Sequence, residues 1–458
     1  MFDGQATCFV SLFPAPFPAP SHLDPQWPQN QIYCIAYLLG LKKLRMKLVE
    51  EDDGDSEEMM LRDSHQAKVP DILKIAEMKG HDSVPQTSFV SVEETTDCRG
   101  EQKDADGNGK GSDDSLLPGL QDDIAMQCLA WTSRSDYGSL ASLNSRFNSL
   151  VQSGYLYRLR RQLGIVEHWI YLACSLVGWE AFDPKQQRWM RLPRMPSDDC
   201  FNFADKESLA VGTELLVFGR EITGFAVWRY SLLSHNWSRG STMAFPRCLF
   251  GSSSNGEIAI VAGGCDRYGA ALKSAELYNS ELGRWETLPE MHFPRKLCSG
   301  FFMDSKFYVI GGLSSNMDSL TCGEEYNLQT RTWRRIPNMF PAGNRAAHAP
   351  PLVAVVNNEL YAVEYIQNEV KKYNKAENLW HVVGRLPLRA DAANGWGLAF
   401  KACGNDLIVI GGQRNQEGEC IVLNSWQPTS DGRPPEWKVL DVKEHVGVFV
   451  YNCAVMGC

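Results

Sequence analysis

Five tryptophans, Trp189, Trp237, Trp285, Trp333 and Trp380, stand 48, 48, 48 and 47 residues apart, and Trp437 follows after a further 57. An aromatic residue lies seven positions before each of the first five: Phe182, Tyr230, Tyr278, Tyr326 and Tyr373. A period of this length restricts the chain to an array of like units, each burying the same positions against its neighbours. The sixth unit has no aromatic at the matching place, and PTSDGRPP, residues 428–435, reads there as a longer loop. Six of the 13 tryptophans thus share one repeated position, so the Trp content counts units and marks no site.

Upstream of each pair runs a short apolar segment that ends in glycine. It is clearest at Ile258–Gly264, Phe307–Gly312 and Leu407–Gly412, degenerate at Leu215–Gly219, and without its glycines at Leu360–Glu364. After the tryptophan comes Leu192-Pro193, Leu288-Pro289, Ile336-Pro337 or Leu386-Pro387. A unit of about 47 residues holds four short strands and cannot bury both faces of its own sheet. Neighbouring sheets must therefore stack, which matches a radial β architecture. A double glycine at a strand end allows positive φ and close approach of the next sheet. The Tyr and Trp bodies fill the space between sheets, with OH and NH groups free to reach backbone partners. The last apolar segment, Gly447–Val455, has no unit of its own; it is expected to complete the first sheet, whose Trp169–Ala173 strand lacks an inner neighbour. That closure removes the free edges.

These units resemble kelch repeats. The resemblance implies a mainly β, six-bladed kelch-type β-propeller over residues 165–458, with repeats near 168–192, 215–240, 258–289, 306–337, 359–387 and 407–440 and a closing strand at 447–455.

Residues 112–160 carry a different pattern. Leu120, Ile124 and Cys128 fall at helical spacing behind Asp122 and Asp123, whose charges suit a helix N-terminus. A second helix fits Tyr137, Leu140, Leu143, Phe147, Leu150 and Val151, capped by Ser135 or Asp136, and a basic stretch, Tyr155–Arg161, leads out. The run LLPGLQDDIAMQCLAWTSRSDYGSLASLNSRFNSLV resembles an F-box. In that family the module binds the adaptor Skp1 and through it a cullin. Carried across, Leu117, Pro118 and Leu120 would contact the adaptor, with Ile124 and Leu129 supporting them. Gly119-Leu120-Gln121 and Cys128 depart from the usual pattern. Over residues from about 112 to 458 the chain is therefore similar to plant-type F-box/kelch-repeat proteins. The implied function is substrate recognition for an SCF ubiquitin ligase in the nucleus or cytoplasm. A non-ligase scaffold is the alternative.

About ten residues after three of the tryptophans an arginine recurs, at Pro246-Arg247, Pro294-Arg295 and Asn344-Arg345. One reading is a structural arginine paired with a neighbouring blade. The other is a guanidinium ring at the channel mouth, joined by His348 and Asn394 and suited to an acidic or phosphorylated segment of a target.

The net charge of −10 sits wholly in residues 1–115, which hold 21 acidic and 11 basic side chains. That N-terminal part opens on FPAPFPAP at 13–20 and carries seven carboxylates within residues 50–58, so 1–111 reads as a disordered Pro-rich, then acidic, tail. The electrically balanced remainder argues against nucleic-acid binding, which needs a basic stripe. Ile32–Leu41 is far shorter than the ~20 apolar residues of a membrane span. The 14 cysteines make no CxxC, and the closest pairs are Cys453/Cys458 and pairs 17 apart such as Cys248/Cys265; they read as reduced thiols with no metal site. Some kelch-like propellers are enzymes, copper radical oxidases among them. Here the nine histidines form no HxH or HxxxH pair, and hydrolase and phosphate-loop motifs are absent, so the chain reads as a non-catalytic protein without a cofactor.

Overall fold

The computed structural model describes residues 115–117, 120–175, 178–203, 206–340, 349–387, 396–415, 418–429 and 432–458, with the backbone alone for Asn415. The tail 1–111, Pro118, Arg345, His348 and Asn394 lie outside the described residues.

Among the described residues twenty-four strands form six four-stranded antiparallel sheets, the blades of a β-propeller. Within a blade the strands are lettered a to d. The third blade is typical: a is Gly251–Asn255, b Ile258–Ala262, c Ala275–Asn279 and d Arg284–Leu288. Strand b is apolar without alternation because sheets cover both of its faces, and Ala259, Ile260, Val261 and Ala262 are all fully buried. The a strands of successive blades neighbour one another around the axis. Tight a–b turns keep the units short. Asp304-Ser305 and Asn357-Asn358 both take positive φ at each position, as the mirror-image hairpin turn requires.

The first blade is closed by a strand far from it in sequence. Asn452–Gly457 pairs antiparallel with His168–Ala173 along its whole length, from Ala173 opposite Asn452 to His168 opposite Gly457. The strand starts several residues later than the 447–455 segment expected from the sequence.

The repeated aromatic pairs sit directly across strands c and d. Tyr278 lies opposite Trp285 and Tyr326 opposite Trp333, with ring centroids 4.9 and 5.0 Å apart. The indole NH then reaches backward to the preceding blade. Trp237 donates to the Pro193 carbonyl at 2.8 Å, Trp285 to Ser241 at 3.0 Å, Trp333 to Pro289 at 2.7 Å, Trp380 to Met339 at 2.7 Å and Trp437 to Arg385 at 2.9 Å. Trp189 completes the circle by donating to the Asp441 carboxylate of the sixth blade. Each tryptophan is thus a filler inside its own sheet and a hydrogen-bonded tie to the one before. Trp237→Phe keeps the filler and removes the tie. It is expected to lower stability by about 1–2 kcal/mol, read as a shifted urea midpoint with an unchanged slope.

The sixth blade does carry the aromatic that the period of seven misses. Trp426 faces Leu407 as Tyr326 faces Phe307, and its ring lies 5.7 Å from Trp437. The longer c–d loop delays the second member of the pair. The glycine pairs also diverge. Gly263, Gly264, Gly311 and Gly312 have φ of 69°, 88°, 65° and 88°. A side chain on Gly264 would meet the Cys248 carbonyl at 2.5 Å. In the sixth blade Gly411 and Gly412 instead continue the long strand Asp406–Asn415, and Gly412 yields only room for the Val448 backbone.

Candidate adaptor and target interfaces

Antiparallel blades put the a–b and c–d turns at one end of the propeller and the b–c loops and d–a connections at the other. The helices preceding the propeller belong with it to one compact unit, Gly119–Cys458. They are α1 (Asp122–Ala130), α2 (Tyr137–Ala141), α3 (Ser145–Gln152) and α4 (Tyr155–Gln162). The single helix expected over 137–151 is broken in two. Asn144 leaves the helical region and its side-chain oxygen accepts from the Phe147 amide at 2.9 Å, starting a new helix.

The helices are fixed to the turn end of the propeller. Arg134, just before α2, lies 4.0 Å over the Trp169 ring and donates to Tyr171 Oη at 3.1 Å and Cys458 Sγ at 2.8 Å. Its amide donates to Glu167 Oε2 at 2.8 Å. Arg160, fully buried on α4, donates to the carbonyls of Ala130 and Thr132, satisfying acceptors left open at the end of α1. Arg161 pairs with Glu257 in the a–b turn of the third blade, and Gly154, at φ 72°, lets the chain approach Leu233 of the second. With Leu163 and Gly164 as the only residues between α4 and Ile165, whose amide donates to the Arg160 carbonyl, the junction is short and tied.

Of the residues expected to meet an adaptor, Leu117 and Leu129 are buried. Leu120 and Ile124 are 38% and 48% exposed, and Trp131, at the end of α1, is 71% exposed. The core side of α1 is instead Ala125, Leu129 and Ala130. The apolar face that the sequence spacing reveals therefore points outward.

The arginines are placed differently from a channel-mouth ring. Arg247 and Arg295 are 1% and 0% exposed. Arg247 Nη2 meets Glu276 Oε1 at 2.6 Å, and its Nη1 donates to the carbonyls of Gly263 at 3.0 Å and Ser274 at 2.7 Å. Arg295 repeats this set with Glu324 at 2.8 Å, Gly311 at 3.0 Å and Cys322 at 3.0 Å. Each glutamate also accepts two backbone amides, Ala244 and Phe245 for Glu276, His292 and Phe293 for Glu324. Both guanidinium groups are committed inside their own blade, clamping the incoming d–a connection to strand c and to the glycine turn. They neither cross to a neighbouring blade nor reach the surface, so Arg247 and Arg295 form no anion-reading ring at the channel mouth. The loop end offers a different surface. Phe203, Ile222, Phe245, Tyr268 and Met317 are 66%, 82%, 47%, 77% and 52% exposed there, Phe203 at the end of the short helix Asp199–Phe203 and the others on loops. Among the described residues no group of His, Cys, Asp or Glu could hold a metal, and no helix is long and apolar enough to cross a membrane.

Fold and site together define a six-bladed kelch-type propeller with a helical module fixed to its turn end. The Kelch motif family matches residues 246–292 and 294–340, the two blades that keep both the glycine pair and the buried Arg–Glu clamp. Three Arabidopsis thaliana proteins are similar over most of their length. F-box/kelch-repeat protein SKIP11 is 57% identical over 78% of this chain and 79% of its own. F-box/kelch-repeat protein At1g26930 is 52% identical over 78% and 87%, and F-box/kelch-repeat protein At1g74510 is 46% identical over 96% and 97%. The chain belongs to the F-box/kelch-repeat protein family.

Proposed function

We propose that this protein is the substrate-recognition subunit of an SCF ubiquitin ligase. The α1 face around Leu120 and Ile124, backed by Leu129, docks a Skp1-type adaptor, and the adaptor links to a cullin. The loop end of the propeller, opposite the helices, captures the target protein. The observation that carries the reading is the outward apolar face of α1 on a module that is itself held rigidly to the propeller. Acceleration then comes from effective concentration of the target near a charged conjugating enzyme, with no chemistry on this chain. A stiff junction suits that task, since a loose one would spread the target over a large volume. This reading carries a nuclear or cytoplasmic location with it.

Leu120→Asp combined with Ile124→Asp is expected to weaken adaptor binding by ~30-fold or more in a titration with purified Skp1, two desolvated anchors being worth over ~2 kcal/mol. The melting temperature should hold, because both side chains are already half in water. Unchanged affinity would sink the ligase reading and leave a scaffold. Contact of the target with Tyr268, Ile222 and Phe245 is tested in the same preparation, since their substitution by Ser should leave Skp1 binding alone.

A further inference from the structure

Cys248 and Cys265 face each other at the loop end of the third blade. Cys248 ends the d–a connection and Cys265 begins the b–c loop that carries the exposed Tyr268. They form an isolated antiparallel bridge in which each amide donates to the other's carbonyl, at 3.1 and 2.8 Å, and their sulfurs lie 3.5 Å apart. Directly opposed residues of such a hydrogen-bonded pair have Cα atoms ~5.5 Å apart, within the ~4.4–6.8 Å span a disulfide bridges. The bridge itself does not call for cysteine: the fourth blade makes the same one with Lys296 and Leu313. Cys265 is buried while Cys248 is partly open to solvent, so one thiol is accessible and the other is held beside it.

We infer that Cys248 and Cys265 are a redox site, joined in a reversible disulfide when the protein meets a peroxide. The Cys248 thiolate attacks one oxygen of hydrogen peroxide, the O–O bond breaks, and Cys248 becomes a sulfenic acid as the departing hydroxide takes a proton to give water. The Cys265 sulfur then displaces the sulfenic oxygen, which leaves as a second water, and the S–S bond forms. Two thiols are oxidised and one peroxide is reduced to two waters. Burial, then the neighbouring Glu207 carboxylate, pushes the Cys248 thiol well above its ordinary range, which keeps the thiolate scarce. The product is a staple between two loops of the surface proposed above to capture the target, yet its formation does not depend on that proposal.

The chemistry is readable in one tryptic peptide. Cleavage after Arg247 and Arg267 releases residues 248–267 with both cysteines and no other cleavage point. The full-length protein, treated with hydrogen peroxide, unfolded in an alkylating agent and digested, should yield this peptide 2 Da lighter and unalkylated, and prior dithiothreitol should restore two alkylated thiols. Cys265→Ser, a small buried change that leaves the bridge backbone intact, should abolish the 2 Da loss and leave sulfenic or higher acids on Cys248. Two alkylated thiols in the peptide after other cysteines have oxidised would overturn the inference. So would acids on Cys248 in the unsubstituted protein with no disulfide.

Discussion

Arg295→Met is expected to destabilise the protein by roughly 3–5 kcal/mol, because it leaves the Glu324 carboxylate buried without its guanidinium partner, with only the His292 ring, 50% exposed, and two backbone amides against it. Glu324 is fully buried, and the same arginine satisfies the Gly311 and Cys322 carbonyls. Folded domains hold only ~5–15 kcal/mol in total, so the loss should show as a large fall in urea midpoint and as poor recovery of soluble protein. Adding Glu324→Leu should return part of the stability, since an apolar pair carries no unpaired charge. Recovery stays partial because the His292 and Phe293 amides lose their acceptor. Arg247 with Glu276 should behave alike, the two clamps sitting in separate blades and adding nearly independently. Charge reversal at either arginine therefore reports on folding. Wild-type stability in Arg295→Met, with target capture lost, would restore the arginine to the binding surface.

The arginine recurrence was visible in the sequence, and so was its partner. Glutamate stands two residues before the tyrosine at Glu276-Leu277-Tyr278 and Glu324-Glu325-Tyr326, in the two units that the structure shows with the clamp. Reading the arginine by its distance from tryptophan alone left that partner unseen, because the pair is 29 residues apart in sequence and meets only when strand c is laid beside the d–a connection. The blade count, by contrast, needs no tertiary information: an aromatic residue and a tryptophan seven apart are the two ends of one c–d hairpin. That inference fails only where loop length varies, as between Trp426 and Trp437. The α1 face was legible as apolar from its spacing. Whether it packs inward or outward was not, since periodicity fixes which residues share a face and leaves open what covers it. The helix break at Asn144 was lost for a related reason. The apolar spacing continues across it in register, and a cap signal inside a periodic run competes poorly with the run.

Ending the chain after Tyr451 is expected to abolish the monomeric fold. The removed strand supplies the whole inner ladder of His168–Ala173, whose outer neighbour is Glu180–Asp183, and it neighbours the a strands of the second and sixth blades, so its loss opens the ring at one point and bares a sheet edge. It also takes away Cys453, Ala454, Met456 and Cys458, all buried, and with them the Asn452 side chain that Ser208 meets at 2.7 Å. Burial of the Met side chain alone is worth ~1.5–3 kcal/mol. Together with the ladder this rivals the whole stability of a domain. The damage does not stop at the propeller. Glu167 exchanges backbone hydrogen bonds with Cys458, and Arg134 donates to Cys458 Sγ, so the same seven residues hold the helical module in place. Truncated protein should elute as aggregate and be cut by protease within both the first blade and the helices. The milder Met456→Ala should remain monomeric with a loss of ~2–5 kcal/mol. It should weaken Skp1 binding little, because α1 folds against α4. A truncated chain that stays monomeric with an unchanged melting temperature would mean that the ring is held by its tryptophan ties, and that the closing strand is an ornament on a propeller already complete.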